Sequence, residues 1–474
     1  MSAHCGLPAE DIRVLAREIA AAHSAAVYGR IGTCTVEFGT LGSWLIDVIN
    51  VLTGNLDRPG GVMFPLSVVA PAPRPPRQGR GFVTGRWRSR VSGYPEVLSE
   101  LPAPALAEEI DTEGDGRIRA MITVAGNPVL SAPDGRRLAR ALGGVDFMVS
   151  VDPYLNETTR YADVILPPPR PSQSAHFDVA LNNLAVRNTA RYSPPALPTA
   201  AGLPDEPEIL SRLVLIVYGA GPDADPALLD EQVIAAAMAK EVADPTSPVA
   251  GRSVDELVAM LPPGRGYERR LDLMLRLGPY GDAFGARPDG LTLGRLVQSP
   301  HGVDFGPMRP RLAEVLRTPS GRVELAPAAL VADVGRLRDS LSRRPGAFVL
   351  VGRRHLRSNN SWMHNLPALA GGTNRCTLYV NPRDAEELGL GDTACTFDHG
   401  GELTVSVEVT GDIRRGVVSL PHGWGHGQDG TRLAVAARHP GVNVNQLNDG
   451  TALDPLSGTA VLNGVPVEVS PVLT

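Results

Sequence analysis

The chain has 474 residues, 45 basic and 51 acidic side chains for a net charge of -6, and 43% hydrophobic residues. That is enough for two to four domains with sizeable cores, and the acidic balance argues against a nucleic-acid or anionic-membrane surface. Gly (51) and Pro (43) exceed the ordinary share without reaching that of disordered chains, so a loop-rich globular fold is expected.

In chain order, Pro8-Ala9-Glu10-Asp11 opens a helix, and Ile12, Leu15, Ala16 and Ile19 recur at helical spacing. Residues 25–28 read as a buried strand. Residues 44–52 read as an apolar helix closed by Thr53-Gly54-Asn55, and the turn cluster of residues 53–61 marks a boundary. Residues 65–80, rich in Pro and Arg, read as an irregular surface connection. A βαβ unit follows, with strands over 118–125 and 145–151 around a helix over 134–142. Asn127 and Asp152 stand at the carboxyl ends of its strands, where such units bind ligands. A third strand is expected over 164–166, stopped by prolines.

Residues 193–208 and 218–226 read as connections around a buried segment, 209–217. Residues 230–243 have a helical pattern, and 317–325 suggest a hairpin. Beyond Arg344-Pro345-Gly346 the texture changes to short strands over 377–380, 393–397, 403–410 and 417–420, with one helix over 382–388. That pattern suggests a small β-barrel.

Several chemistries lack their residues. Lys240 is the single lysine and follows Ala239, so no phosphate loop of the GxxxxGK[ST] kind is present. Cys5, Cys34, Cys376 and Cys395 show no CxxC spacing, so neither a zinc knuckle nor an iron–sulfur cluster is supported. GxSxG does not occur, and GNPVLS, the turn after the first strand of the βαβ unit, lacks GxGxxG, so NAD or FAD binding has little support. The N-terminus carries no basic region followed by an apolar run, and no apolar stretch is long enough to span a bilayer, so a cytoplasmic location without a membrane segment is expected.

Positive signals lie elsewhere. In 350–365, LVGRRHLRSNNSWMHN, an apolar run ends at Gly352 and meets arginines, a histidine and an Asn/Ser cluster. Arg offers a planar fork for phosphate, and Ser, Asn and His offer neutral hydrogen bonds. Arg353 directly follows Gly352, where backbone can approach a ligand. Asn156, Glu157, Thr158 and Thr159 read as a helical first turn with free N–H groups, suited to a phosphate or to a plain cap. His422 and His426 have HxxxH spacing, but Gly423, Gly425 and Gly427 argue against a helix, leaving a turn with partly exposed histidines. The stretch 441–454 is rich in amides, which can read a ring edge or form Asx turns.

The series VYGRIGT, LTGNLDRPGG, AGNPVLSAPD, VDPYLNETTRYADVILPPP, GRRHLRSNNSWMHN, NPRDAEELGLGD and GVNVNQLND resembles, in the same order, the molybdopterin oxidoreductases of the dimethyl sulfoxide reductase and formate dehydrogenase group. The resemblance implies α/β doubly wound domains followed by a six-stranded double-psi β-barrel. It divides the chain into a partial α/β domain at 1–62, an α/β dinucleotide-binding domain with irregular insertions at 63–344 and a barrel at 345–474. It implies a molybdopterin guanine dinucleotide with molybdenum or tungsten, and redox chemistry on a small-molecule substrate. Asn127, Asp152 and Thr158 would lie at one nucleotide end. Gly352, Arg353, His355, Ser358, Asn359 and Ser361 would line the other dinucleotide, with Asn445 closing over a pterin. The family's cysteine cluster and metal-ligand segment are not recognisable here. An N-terminal catalytic half or an electron-transfer partner is therefore expected; the alternative is a non-catalytic cofactor-binding subunit or truncated remnant.

Overall fold

The computed structural model describes residues 2–71, 83–343, 346–398 and 401–472. Residues 72–80 of the Pro/Arg-rich connection lie outside the described residues, as do Arg344 and Pro345 of the boundary. Helix α1 (Ala9–Ala21) has Pro8 as N-cap and Glu10 and Asp11 in its first turn, yet no residue of it is buried. Helix α2 (Gly39–Leu52) is longer than the apolar run suggested. Residues 25–28 correct the expected buried strand. They pair with no strand, and Tyr28 is exposed. Side-chain amides satisfy their backbone instead: Asn55 Oδ1 accepts from Ala25 N, and Asn50 bonds both N and O of Val27.

The βαβ unit forms as expected. Strands β1 (Ala120–Val124), β2 (Phe147–Val151) and β3 (Val164–Ile165) make a parallel sheet in that order. Helix α3 (Gly135–Leu142) joins the first two; Asp134 caps it by accepting from Arg137 N. Leu138, Leu142, Met148, Val129 and Ile110 form the core beneath one face. The opposite face is partly bare: Ile122, Val124, Phe147 and Val164 share it by register and are substantially exposed, whereas Val149 and Val151 on the same face are buried.

Further on, helices α4 (Glu206–Val217), α5 (Pro226–Ala243) and α6 (Gly266–Leu277) form a helical part. The segment expected to be buried at 209–217 is the body of α4, and only Ile209 and Ser211 in it are buried. Residues 317–325 hold a turn closed by Gly321 N donating to Thr318 O, without the paired strands of a hairpin.

The last part is a closed six-stranded barrel. Its strands are β4 (Phe348–Arg353), β5 (Thr377–Val380), β6 (Thr393–Asp398), β7 (Gly401–Val409), β8 (Val417–Pro421) and β9 (Val465–Pro471). They run around the wall in the order β6-β7-β5-β8-β4-β9. Helix α7 (Pro382–Leu388) follows β5 and is capped by Asn381 and Gly389. Leu350, Leu378, Val380, Ala394, Val418 and Leu420 fill the interior. Among the described residues no helix is long and apolar enough to cross a membrane.

Candidate functional site

The carboxyl ends of β1 and β2 meet the loops after β4 and β8. Here the chain buries polar groups instead of apolar ones. Glu157, Thr158 and Thr159 are fully buried, and Asp152, Asn156, Ser358, His364 and His426 nearly so. Buried polar groups must find partners, and these form a row. Ser358 Oγ lies 2.8 Å from His364 Nε2. His364 Nδ1 lies 2.9 Å from His426 Nε2. His426 Nδ1 lies 3.0 Å from Glu157 Oε1. Asn127 Nδ2 donates to Glu157 Oε2 at 2.8 Å, and Thr158 Oγ1 donates to Asn127 Oδ1 at 2.7 Å. The row crosses the seam between sheet and barrel.

Local sequence explains how the barrel side reaches in. Gly423, Gly425 and Gly427 adopt φ of +91, +116 and +81, which only glycine enters freely. These turns carry Trp424 and His426 inward, and His364 stacks on Trp424 with centroids 4.0 Å apart. His426 is thus buried, correcting the expectation of a partly exposed turn histidine. Burial pushes His364 down to about 4, helped by its neighbour His426. Burial opposes ionisation of Glu157, but its bonds to His426 and Asn127 outweigh that and hold its carboxyl below the usual range.

Beside the row is a small cavity of about 30 Å³, lined among others by Asn127, Asp152, Tyr154, Ser361, Trp362 and His426. Asp152 accepts from Tyr154 N at 2.8 Å and Asn156 Nδ2 at 3.2 Å. Burial raises its pKa against these two bonds. On the other side of His426, a groove of about 840 Å³ follows the seam, with Arg136, Arg140 and Arg160 in its walls. A separate cleft of about 440 Å³ lies among α4, α5 and α6. Its Asp205 and Arg265 pair with each other, and none of its lining residues belongs to the seam.

The expected site residues divide. Asn127, Asp152 and Ser361 line the cavity, and Thr158 and Ser358 stand in the row beside it. Gly352 donates its N–H to Asn463 Oδ1 at 2.7 Å. His355 is half-buried; burial, then Arg375, Arg353 and Arg357, lower its pKa. Asn359 is exposed at φ +42 and opens a turn, its carbonyl accepting from Trp362 N. Arg353 departs from expectation. Its guanidinium turns into the barrel and donates to Ser419 O at 2.6 Å, Thr377 O at 2.7 Å and Thr377 Oγ1 at 3.0 Å. It also lies 3.6 Å over the Tyr379 ring, so its fork is taken up by its own domain.

Asn445 departs likewise. It donates to Leu130 O at 2.6 Å, contacts His422 Nδ1 at 3.3 Å and accepts from Asn448 at 2.9 Å, which ties barrel to sheet. The free N–H groups expected at 156–159 are also filled: Asn156 Oδ1 accepts from both Thr158 N and Thr159 N. Sequence reasoning does not reach Glu157, His364 and His426 as a unit. Each stands in a segment that the sequence marks as polar, but nothing local pairs them. Among the described residues no group of three or more His, Cys, Asp or Glu could hold a metal ion.

Comparison with known proteins agrees with this architecture. Residues 348–466 match the molydopterin dinucleotide binding domain. The chain is 23% identical to a tetrathionate reductase subunit of Salmonella typhimurium, over 99% of this chain and 53% of that protein. It is 30% identical to a nitrate reductase of Symbiobacterium thermophilum, over 34% of this chain and 23% of that one. Its fold is similar to that of acetylene hydratase from Pelobacter acetylenicus, with a TM-score of 0.53 at 16% identity, over 78% of this chain and 46% of that chain. The closed barrel and the matched domain place residues 348–466 in the class of molybdopterin dinucleotide-binding domains. The chain is a member of the molybdopterin oxidoreductase family. It spans about half the length of curated relatives that it matches along most of its own length.

Proposed function

We propose that this chain binds one molybdopterin guanine dinucleotide along the seam between sheet and barrel, as the cofactor-holding part of a molybdenum or tungsten oxidoreductase acting on a small molecule. The observation that carries this reading is the cavity holding Asp152 and Asn127 at the strand ends, facing the matched barrel domain. An ionised carboxylate has about four acceptor sites, and Asp152 uses two of its own within the chain. Its remaining acceptor sites would take the N–H edge of guanine, and that pairing would oppose the burial that raises its pKa. A purine is larger than 30 Å³, so entry requires a mouth residue to swing aside; Trp362, 41% exposed, is placed to do so. Bound there, the cofactor would supply the metal-centred redox chemistry, while this chain holds and orients its nucleotide end.

A partner carrying the metal ligand fits a second observation. Parallel sheets occur almost only with both faces covered. Here Ile122, Val124, Phe147 and Val164 stand bare on one face. That supports a further layer of structure packed over this face, and with it the reading of this chain as one component of a larger enzyme.

The test is to express the chain in a host that makes the cofactor. Retained pterin fluorescence and guanine nucleotide released on acid hydrolysis are expected, both reduced in Asp152→Ala. Protein free of pterin and of nucleotide, with its fold intact, would overturn the reading.

A further inference from the structure

We propose that Glu157, His426 and His364 are positioning residues which, with Ser358, fix the direction in which the Asn127 side-chain amide faces the cavity and so set which nucleobase is accepted. This rests on the reading of the cavity as a nucleotide site. The argument follows the protons. Glu157 accepts at both oxygens, from His426 Nδ1 at 3.0 Å and from Asn127 Nδ2 at 2.8 Å. A carboxylate has no proton to give, so His426 must carry a proton on Nδ1; with that single ring proton, its Nε2 is an acceptor. That acceptor lies 2.9 Å from His364 Nδ1, which is therefore the donor. His364 Nε2 in turn accepts from the Ser358 hydroxyl at 2.8 Å. Every proton in the row points toward Glu157.

The same logic orients Asn127. Its Oδ1 accepts from Thr158 Oγ1 at 2.7 Å, and that hydroxyl oxygen already accepts Val129 N at 3.1 Å. Turning the amide over would set its oxygen against the Glu157 carboxylate. Asn127 therefore offers a ligand one remaining N–H and one remaining lone pair in a fixed order. A base edge with the matching order is bound, and one with the reverse order meets donor against donor. The row extends this control to the barrel, because His364 and Ser358 belong to the loop after β4.

Two measurements test the proposal. In spectra of the intact chain with ¹⁵N-labelled histidine at neutral pH, both His364 and His426 are expected as the Nδ1–H tautomer. An Nε2–H tautomer at either position would overturn the row without any variant having to fold. Second, dissociation constants for guanosine diphosphate and adenosine diphosphate are measured by calorimetry on the full chain and on Glu157→Gln. Glutamine can accept from only one of its two neighbours and turns its NH₂ on the other. The ratio of the two constants should shift by about tenfold, the size of one mispaired hydrogen bond. Equal weakening of both nucleotides, or an unmoved ratio, would overturn the positioning role while leaving the nucleotide site standing. Binding of neither nucleotide by the unmutated chain would remove the site itself and this inference with it.

Discussion

His426 Nδ1 lies 3.0 Å from Glu157 Oε1 with both side chains out of solvent, although 269 positions separate them along the chain. The pair joins the barrel to the end of the parallel sheet. Buried pairs of this kind are weak evidence for stability, but removing one partner strands the other.

The first prediction follows. His426→Ala leaves the buried Glu157 carboxylate without its ring donor and should cost roughly 1.5–3 kcal/mol, the worth of a hydrogen bond to a charged group. The double variant Glu157→Gln/His426→Gln should cost less than His426→Ala alone, since no charge is then stranded. Urea unfolding of the three proteins measures this, and a double variant as unstable as the two single changes summed would contradict it.

A second concerns pH. Burial, with His426 beside it, depresses His364 to about 4 from an ordinary 6.5, and burial with Arg354 nearby does the same to His422. Both rings bind a proton more readily in the unfolded chain. Their contribution is thus complete above about pH 6.5 and is lost as pH falls toward 4, on the order of 3 kcal/mol for each ring. Melting temperature should decline across that window, and less so in His364→Gln. A flat profile between those limits would count against the buried neutral rings.

Arg353 supplies a third. Its donors hold Ser419 and Thr377 across three barrel strands. Arg353→Ala should therefore destabilise the barrel by about 2–3 kcal/mol, the worth of charge-assisted bonds, and change nucleotide affinity little. Arg353→Lys should recover only part, lacking the planar fork. A large loss of nucleotide binding with an unchanged melting temperature would return this arginine to the ligand.

The bare sheet face gives a fourth. Phe147→Lys and Ile122→Lys should reduce self-association and leave melting within about 0.5 kcal/mol, as exposed changes usually do. Light scattering over a concentration series reads the first effect. A strong loss of stability instead would mean that the face is already covered within the chain.

Much of the architecture is legible in the sequence because its signals are local. The helix over 382–388 and the strand over 377–380 have their observed bounds, since Asn381-Pro382 and Gly389 punctuate one and apolar residues mark the other. The βαβ unit is readable for the same reason. The stretch at 25–28 misleads because its apolar composition cannot reveal that Asn50 and Asn55 take the place of a partner strand. At the site, Asn127 and Asp152 follow from their position at strand ends, which topology dictates. Arg353 and Asn445 show the opposite case. Residue type names the donors correctly, but only the fold decides whether they face a ligand or a carbonyl of their own chain. The Glu157–His426 pair is out of reach altogether, because neither residue has a neighbour in sequence that marks the other.

The barrel has a consequence for how the site is made. Strand β9 pairs with both β4 and β6, so residues 465–471 close the wall between segments synthesised much earlier. Until they arrive, β4 lacks one neighbour, and the loop that hangs from it with Ser358 and His364 has no finished wall to brace it. Such late, long-range pairing is slow. The sheet of β1 to β3 is thus made well before its barrel partner, and the ligand cavity between them depends on a wall that residues 465–471 must close.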